Sequence, residues 1–438
     1  MLRRIGVSSM DDLFKDVPAA LRHASAPDVG AGLDEQTLVR EFTALGDANL
    51  AAGLCCFAGG GVYDRYLPAA QRALLGRGEF LTAYTPYQPE VSQGTLQMTF
   101  EFQSMIAELM ALPVATAGLY DGSTAVAEAA LLSRAATRRP VVAISGALHP
   151  EYGGVLATYA LPRGVDIVSL PLTMGRTDPE QIRDTLDGRP VACVIVQQPN
   201  FFGLVEDVER ILAERPDGSL GVVVADPATL GVLEAPGRLG ADLVVGEAQD
   251  VGLPLSFGGP YLGYMAAQPA LLHRLPGRIC GLGTDRGGQR GFVLTLQGRE
   301  QHIRRARATS NICTNQAFCA LAVSIYLALA GPQGLAELGE ICLRRAHYLA
   351  SELSRLPGVC LTFPDQPFFA EFSLHLPRSA RTVQEALRSR GYLVGPVLGD
   401  FFPGMERDIL VAVTERRQRD ELDGLVAALE EVLALVSA

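Results

Sequence analysis

The chain has 438 residues, of which 48% are hydrophobic and 19% are charged, and its formal net charge is −11. This length predicts two domains, and the acidic balance argues against nucleic acid or an anionic membrane as the main partner. Lys15 is the only lysine in the sequence. Chemistry that needs a lysine amine must therefore use Lys15 or a lysine of another chain.

Residues 1–80 are predicted to form an N-terminal arm. The start, MLRRIGVSSMDDLFKDVP, has no apolar core, so no secretory signal is expected. In the stretch from 82 to 112, Pro86 and Pro89 exclude a helix from the first half. The second half has apolar residues at helical spacing and is predicted to be a helix.

From about residue 114, short β-branched runs alternate with helical stretches. The runs predicted as strands are VVAISGAL (141–148), VDIVSLPL (165–172), VACVIVQQP (191–199), GVVVADP (221–227) and ADLVVGE (241–247). Runs this apolar are buried on both faces, which is typical of a mostly parallel sheet covered by helices. Further strands are predicted at 261–268 and 291–298.

The last hundred residues have a different pattern, in which helical stretches flank shorter strands such as VCLTFP and FFAEFSLHLP. We expect a smaller α+β domain there. The predicted division is the arm at 1–80, a large α/β domain at 81–330 and a small C-terminal domain at 331–438. The apolar run AFCALAVSIYLALAG is shorter than a membrane span and predicts a buried core helix.

A polar turn enters a helix at YDGSTAVAEAALLS (120–133). Gly122, Ser123 and Thr124 lie where a helix N-terminus directs free N–H groups and a partial positive charge outward, which suits a phosphate. A plain Ser/Thr N-cap is the alternative.

His149 and Asp226 are each predicted to end a strand, at the carboxyl edge of the sheet, where ligands of open α/β folds bind. An imidazole there can stack on a flat cofactor, and a carboxylate can hydrogen-bond a pyridinium nitrogen. Taken singly, His149 could be an ordinary loop histidine and Asp226 the start of a turn. The order Gly-Ser-Thr, His, Asp within one α/β domain is the arrangement of a pyridoxal phosphate pocket.

Two polar stretches are candidates for binding. The segment 296–316 contains four arginines with Glu300, His302, Thr309, Ser310 and Asn311. The tyrosine loop, YTPYQPEVSQG at 84–94, combines Tyr84, Thr85, Tyr87 and Gln88 with two rigid prolines. A solvent-exposed charged helix face is the alternative for the first stretch, and a packed interface loop is the alternative for the second.

Five longer motifs carry a resemblance to a known family. They are FAGGGVYDRYLP, TAYTPYQPEVSQGTLQ, DGSTAVAEAALL, SFGGPYLGYMA and REQHIRRARATSNICTNQ. They resemble, in the family's order, motifs of the glycine cleavage system P-protein, and most closely its N-terminal half. The motifs span roughly residues 55 to 320.

The resemblance implies a pyridoxal-phosphate-dependent transferase-like fold of type I. It also implies an activity, in which pyridoxal phosphate binds glycine, carbon dioxide leaves, and the aminomethyl group passes to the lipoyl group of H-protein. The cofactor serves as the electron sink and the protein positions it. A lysine holds the resting cofactor in this family.

This sequence departs from the family at that lysine. The lysine loop falls on Gln249 and Asp250, and a carboxylate cannot form the imine with the cofactor. Lys15 lies far upstream of Asp226 and in the wrong order. We therefore expect no catalytic residue on this chain, and a relic cofactor pocket with Ser123, Thr124, His149 and Asp226.

The family's division of labour puts the lysine and the cofactor on a β subunit of the same fold. Fold type I sites form between neighbouring subunits, so this chain would lend residues to its partner. The expected lining residues are Tyr84, Thr85, Tyr87, Gln88, Arg299, Glu300, His302, Thr309, Ser310 and Asn311. The sequence leaves open whether the assembly is αβ or (αβ)₂. The alternative function is a purely structural or regulatory pseudoenzyme subunit.

The eight cysteines are scattered, with no CxxC pair and no Cys/His cluster of zinc spacing. No metal site is expected. This usage of cysteine predicts a reduced, cytoplasmic chain.

Overall fold

The computed structural model describes residues 1–22 and 28–436, and contacts divide the chain into two units, Met1–Gly53 and Leu54–Ala438. The α-helices are α1 (Leu2–Ile5), α2 (Glu35–Asp47), α3 (Ala69–Leu75), α4 (Gly78–Leu81), α5 (Gln93–Met110), α6 (Gly122–Thr137), α7 (Pro150–Ala160), α8 (Ile182–Thr185), α9 (Val208–Ala213), α10 (Gln301–Arg304), α11 (Ala317–Leu353), α12 (Ala380–Arg388) and α13 (Arg419–Val436). The strands are β1 (Cys55–Ala58), β2 (Val114–Ala115), β3 (Val141–Ser145), β4 (Asp166–Leu170), β5 (Leu172–Thr173), β6 (Arg176–Thr177), β7 (Val191–Gln198), β8 (Leu220–Ala225), β9 (Leu243–Glu247), β10 (Gly263–Ala267), β11 (Ile279–Thr284), β12 (Arg290–Thr295), β13 (Cys360–Leu361), β14 (Glu371–His375), β15 (Tyr392–Gly395) and β16 (Asp408–Ala412).

Among the residues that the structure describes, the first unit contains the α-helices α1 and α2. The helix α2 begins after Asp34, whose Oδ1 accepts a hydrogen bond from the Thr37 N–H at 2.9 Å. This satisfies one of the N–H groups that a helix start leaves free. Leu38, Phe42 and Leu45 lie at helical spacing on α2 and are exposed.

The second unit is built on a seven-stranded sheet with the order β2-β10-β9-β8-β7-β3-β4. The neighbouring pairs are parallel except for those that β10 makes with β2 and β9. Side chains alternate along β7: Cys193 and Ile195 enter the core beside α6 and α7, whereas Val194 and Val196 enter the core beside α5 and α11. The predicted parallel sheet covered by helices is confirmed, with its strands within a few residues of the predicted runs.

A second core lies in the C-terminal part of the chain. There β14 pairs antiparallel with β13 and β16, and β15 pairs parallel with β1. Apolar residues of α12, α13 and the end of α11 cover these strands, and Phe57, Phe201 and Phe202 join them. The helix α11 bends at Gly331, which has φ 62° and precedes Pro332. This bend lies at the predicted boundary between 81–330 and 331–438, and that division stays a prediction.

The helix α11 is long and apolar enough to cross a membrane, by length and composition alone, and half of its most apolar window is buried inside the protein. Its first half contributes Cys319, Ala320, Ala322, Val323 and Tyr326 to the core below the large sheet. The prediction of a core helix from the apolar run at 317–331 is therefore confirmed.

Candidate functional site

The N-terminus of α6 is already occupied by carboxylates of this chain. Asp121 caps the helix: its Oδ1 accepts hydrogen bonds from the Thr124 N–H at 2.7 Å and the Ser123 hydroxyl at 2.8 Å. Glu247, the last residue of β9, accepts a third hydrogen bond from the Gly122 N–H at 3.0 Å. Two of the N–H groups that would hold a phosphate, those of Gly122 and Thr124, are thus bonded to carboxylates, which also offset the partial positive charge of the helix.

Glu247 is fixed by two more backbone groups. Its Oε1 accepts hydrogen bonds from the Leu262 N–H at 2.8 Å and the Gln249 N–H at 3.1 Å. Burial raises the pKa of Glu247 to about 7, although the bonds from Leu262, Gly122 and Gln249 act in the opposite direction. One carboxylate therefore joins the start of α6, the end of β9 and the turn before β10.

His149 lies four residues beyond the end of β3 and caps α7, instead of ending the strand itself. Its ring stacks on Tyr152, with centroids 4.5 Å apart and an angle of 14° between the planes. Its Nδ1 accepts a hydrogen bond from the Glu151 N–H and its Nε2 lies 2.7 Å from the Gly60 carbonyl oxygen, which fits a neutral imidazole with the proton on Nε2. Burial lowers the pKa of His149. The face on which a flat cofactor would stack is covered by Tyr152.

Asp226 directly follows β8, and its Oδ1 accepts a hydrogen bond from the Ala228 N–H at 2.9 Å. Asp250, at the expected lysine position, is 3% exposed and faces Asp226. Burial and the neighbouring Asp226 carboxylate raise the pKa of Asp250 well above its usual range, which favours a proton on this pair. The nearest cation is Arg65, whose Nη2 lies 3.6 Å from Asp250 Oδ2 and whose Nη1 lies 2.9 Å from Glu415 Oε2.

Gln249, the other residue at the lysine position, is fully buried and turned toward backbone. Its side chain accepts from the Tyr63 N–H and donates to the Tyr63 and Leu253 carbonyl oxygens, each at 2.9 Å. Gln249 therefore braces the Gly-rich segment 57–68 against the loop after β9.

The relic pocket is the space enclosed by Tyr152, Asp226, Glu247, Asp250 and Glu371. It retains a cavity of about 50 Å³, room for water but below the roughly 300–1,000 Å³ of ordinary small-molecule sites. Burial raises the pKa of Glu371 to about 7. The residues present do not fit pyridoxal phosphate, since carboxylates hold the phosphate position, Tyr152 covers the stacking face, and an acid replaces the lysine.

The tyrosine loop forms a second polar region, away from the relic pocket. Tyr84 and Tyr87 are 79% and 57% exposed, Gln88 is exposed and Thr85 is half-buried. The Tyr87 hydroxyl accepts a hydrogen bond from Arg278 Nη2 at 3.1 Å, and the Arg278 guanidinium carbon lies 5.2 Å from the centre of the Tyr87 ring.

Arg278 connects this loop to the segment 296–316. Its Nε lies 4.0 Å from Glu300 Oε2, and His302 Nδ1 lies 3.9 Å from the same oxygen. Arg299 is buried and donates to the Leu275 carbonyl oxygen. Among its described residues the segment holds the short helix α10 and 3₁₀ turns, on which His302, Arg304, Arg305 and Arg307 are exposed. The alternative of a solvent-exposed charged helix face fits these four residues.

The remaining predicted lining residues alternate in exposure. Ser310 is buried, and its hydroxyl donates to Glu128 Oε1 at 2.8 Å and accepts from the Ile312 N–H at 3.1 Å. Thr309 and Asn311 are exposed on either side of Ser310. The exposed residues can meet a partner directly, whereas Arg299, Glu300 and Ser310 support the surface from within. Whether any of them lines a partner's site stays a prediction.

The family model described as "Glycine cleavage system P-protein" matches residues 1–429 of the chain. The chain belongs to the glycine cleavage system P-protein family. A relative from Moorella thermoacetica, named as probable glycine dehydrogenase (decarboxylating) subunit 1, is 49% identical across 99% of this chain and 97% of its own length. The resemblance inferred from the five motifs is therefore confirmed.

Solved structures show the same relationship. A crystal structure of glycine decarboxylase (P-protein) of the glycine cleavage system, in inhibitor-bound form, is 45% identical with a TM-score of 0.92, covering 99% of this chain and 97% of that one. Lactobacillus brevis glutamate decarboxylase shares the fold at 15% identity, with a TM-score of 0.70 and coverage of 95% and 96%. The chain has the fold type I architecture of pyridoxal-phosphate-dependent enzymes, as predicted.

Three side chains of these two regions were missed by the sequence reasoning. Tyr152 follows His149 by three residues on α7, and that spacing on a helix places the two rings together. Glu247 ends the apolar strand β9, and Asp226 directly follows β8. Ligands of open α/β folds bind at the carboxyl ends of such strands, so this rule also predicts Glu247 as a site residue. Arg278 carries no such signal, because an isolated arginine between two loops matches no pattern.

Proposed function

We propose that this chain is the α subunit, without a lysine for the cofactor, of a two-subunit glycine cleavage P-protein. A β subunit of the same fold carries pyridoxal phosphate. Together the two subunits decarboxylate glycine and transfer the aminomethyl group to the lipoyl group of H-protein. We infer a cytoplasmic heterotetramer with two chains of each kind. The name of the Moorella thermoacetica relative, a subunit 1, supports a partner subunit and the reaction.

The observation that carries this proposal is the occupied relic pocket. Glu247 is bonded to the Gly122 N–H and Tyr152 is stacked on His149. A carboxylate at the start of α6 repels a phosphate, and Asp250 offers no amine. The chemistry that the family performs is therefore assigned to the partner's pocket.

The tyrosine loop and the segment 296–316 support a contribution to that partner site. They come from distant parts of the sequence and meet at Arg278. Tyr84, Tyr87 and Asn311 remain exposed beside it. Exposed polar and aromatic side chains on a braced surface are suited to recognition.

Reconstitution with a homologous chain that has the lysine loop tests the proposal. We expect release of carbon dioxide from glycine only from the mixture of the two chains. Tyr87→Phe and Asn311→Ala in this chain should lower that rate, and so should Arg299→Ala by loosening the support of the surface. Gln333→Ala, which removes an exposed amide on α11, is the matched control. Normal decarboxylation by all three variants would leave this chain a structural scaffold.

A further inference from the structure

A cavity of about 420 Å³ opens beside the tyrosine loop, within the usual range for sites that bind small molecules. Most of its wall is apolar, from α4, α5 and the start of α11. Among the described residues, its polar groups are the side chains of Tyr84, Thr85, Thr95, Thr99, Thr314 and Asn315, and a single cation, Arg278. An apolar wall with a few placed polar groups is typical of a ligand site.

Arg278 has unused hydrogen-bonding capacity in this cavity. The residue is 7% exposed. Its Nη2 donates to the Tyr87 hydroxyl at 3.1 Å and contacts Cys313 Sγ at 3.9 Å. Its Nε and Nη1 have no acceptor within hydrogen-bond distance among the described residues, since Glu300 Oε2 lies 4.0 Å from Nε. Arg278 lines the cavity, so these two N–H groups can meet an incoming acceptor there.

The guanidinium is also held in position. The Tyr87 ring packs against the guanidinium, with its centre 5.2 Å from the guanidinium carbon. The backbone carbonyl oxygen of Arg278 accepts a hydrogen bond from the Ala117 N–H at 3.1 Å. Asn315 braces the segment that contacts Arg278 by donating to the Ala117 and Gly118 carbonyl oxygens. A fixed planar fork with free N–H groups matches the two oxygens of a carboxylate or phosphate.

The charges around Arg278 permit an anion. Glu300 forms a long ion pair with Arg278, with 4.0 Å between Nε and Oε2, which exceeds hydrogen-bond distance. Arg299, next along the chain from Glu300, is buried and has no described hydrogen-bond partner at its Nε and Nη2. Among the described residues, Arg278 is the only charged residue that lines the cavity, and no carboxylate lines it.

We propose that Arg278 binds an oxyanion, a carboxylate or phosphate group, of a small ligand held in the partner's active site. This rests on the proposed function, because the cavity would face the β subunit. The two available sources are the carboxylate of glycine and the phosphate of pyridoxal phosphate. Arg278 thus acts in trans as a determinant of ligand binding.

Binding titrations on the reconstituted two-subunit complex test this proposal. Glycine is titrated into the cofactor-loaded complex, and pyridoxal phosphate into the cofactor-free complex, both followed by absorbance. Arg278→Gln should weaken one of the two affinities about 10- to 100-fold, the loss expected for charge-assisted hydrogen bonds. Arg278→Lys, which keeps the charge and loses the fork, should weaken it less, and it carries the test if the glutamine variant does not fold.

The two arms separate the sources of the oxyanion. Weaker glycine binding with unchanged cofactor binding assigns the carboxylate, and the reverse assigns the phosphate. In the first case KM for glycine rises while kcat is kept. The control is Arg286→Gln, which removes an exposed arginine from the turn between β11 and β12. Affinities of both Arg278 variants within twofold of this control would overturn the proposal. Failure of the proposed function would appear earlier, as a wild-type mixture without activity.

Discussion

Glu128 offers a quantitative test of the packing that supports the segment 296–316. The residue lies in α6, is 4% exposed and accepts the hydroxyl hydrogen bond of Ser310. Burial raises the pKa of Glu128 from 4.5 to about 7. Glu128→Gln keeps an acceptor for Ser310 but cannot ionise, so it removes the cost of the buried charge.

The sign and size of the effect follow from proton binding. The native protein binds this proton more tightly than the unfolded chain, so this contribution to stability falls as pH rises from about 4.5 through about 7. The cost is about 1 kcal/mol at about pH 5.5 and about 3 kcal/mol at about pH 8.5, from 1.36 kcal/mol per pKa unit. For a chain of 438 residues the larger value corresponds to about 3 °C in Tm.

Scanning calorimetry across this pH range measures the cost of the buried charge as a difference in Tm between the variant and the wild type. We expect the Tm of Glu128→Gln to exceed that of the wild type by an amount that grows toward high pH. Glu101→Gln, the same change at an exposed position on α5, should show no such growth. A Tm difference that is constant with pH, or that shrinks toward high pH, would refute the assignment of a buried, proton-binding Glu128.

Three further predictions concern the relic pocket and the Ser310 contact. Glu247→Ala frees the Gly122 N–H at the start of α6 and removes one carboxylate there, so inorganic phosphate should raise the Tm of the variant and leave that of the wild type unchanged; equal responses would contradict the carboxylate's role. Asp250→Lys alone should give no visible absorption band with pyridoxal phosphate, because Glu247 and Tyr152 still fill the site; a band would show that the pocket can open. Ser310→Ala should lower the free energy of unfolding in urea at neutral pH by about 1–3 kcal/mol, because it leaves a buried carboxyl without its donor. The control is Ser389→Ala, which changes the exposed serine directly after α12. A smaller loss for Ser310→Ala than for this control would argue against the contact.

The large sheet was predictable because its strands are buried on both faces. A continuous apolar run such as VACVIVQQP predicts a buried strand, here β7. The helical stretches between the runs predict that the strands pair in parallel. The strand β2 has only two residues and no periodicity, and it exists through its pairing with β10. The strand β10 runs antiparallel to β9 because the loop 248–262 returns the chain beside it.

The relic pocket was predictable in outline for a related reason. His149 and Asp226 follow parallel strands, whose carboxyl ends meet at one edge. What fills the pocket was not predictable, because it depends on side-chain direction across long separations. Glu247 and Gly122, which are 125 residues apart, meet by one hydrogen bond. The contact of Arg278 with Tyr87 spans 191 residues and leaves no trace in the local pattern.

The content of cofactor in the assembled enzyme tests most directly whether this chain is the half without the chemistry. The measurement is the amount of pyridoxal phosphate bound per pair of chains in the reconstituted complex, alongside the same measurement on this chain alone. We predict one cofactor per pair, all of it on the partner, and none on this chain. Two cofactors per pair, or a visible cofactor band on the isolated chain, would contradict the assignment of the occupied pocket as inactive.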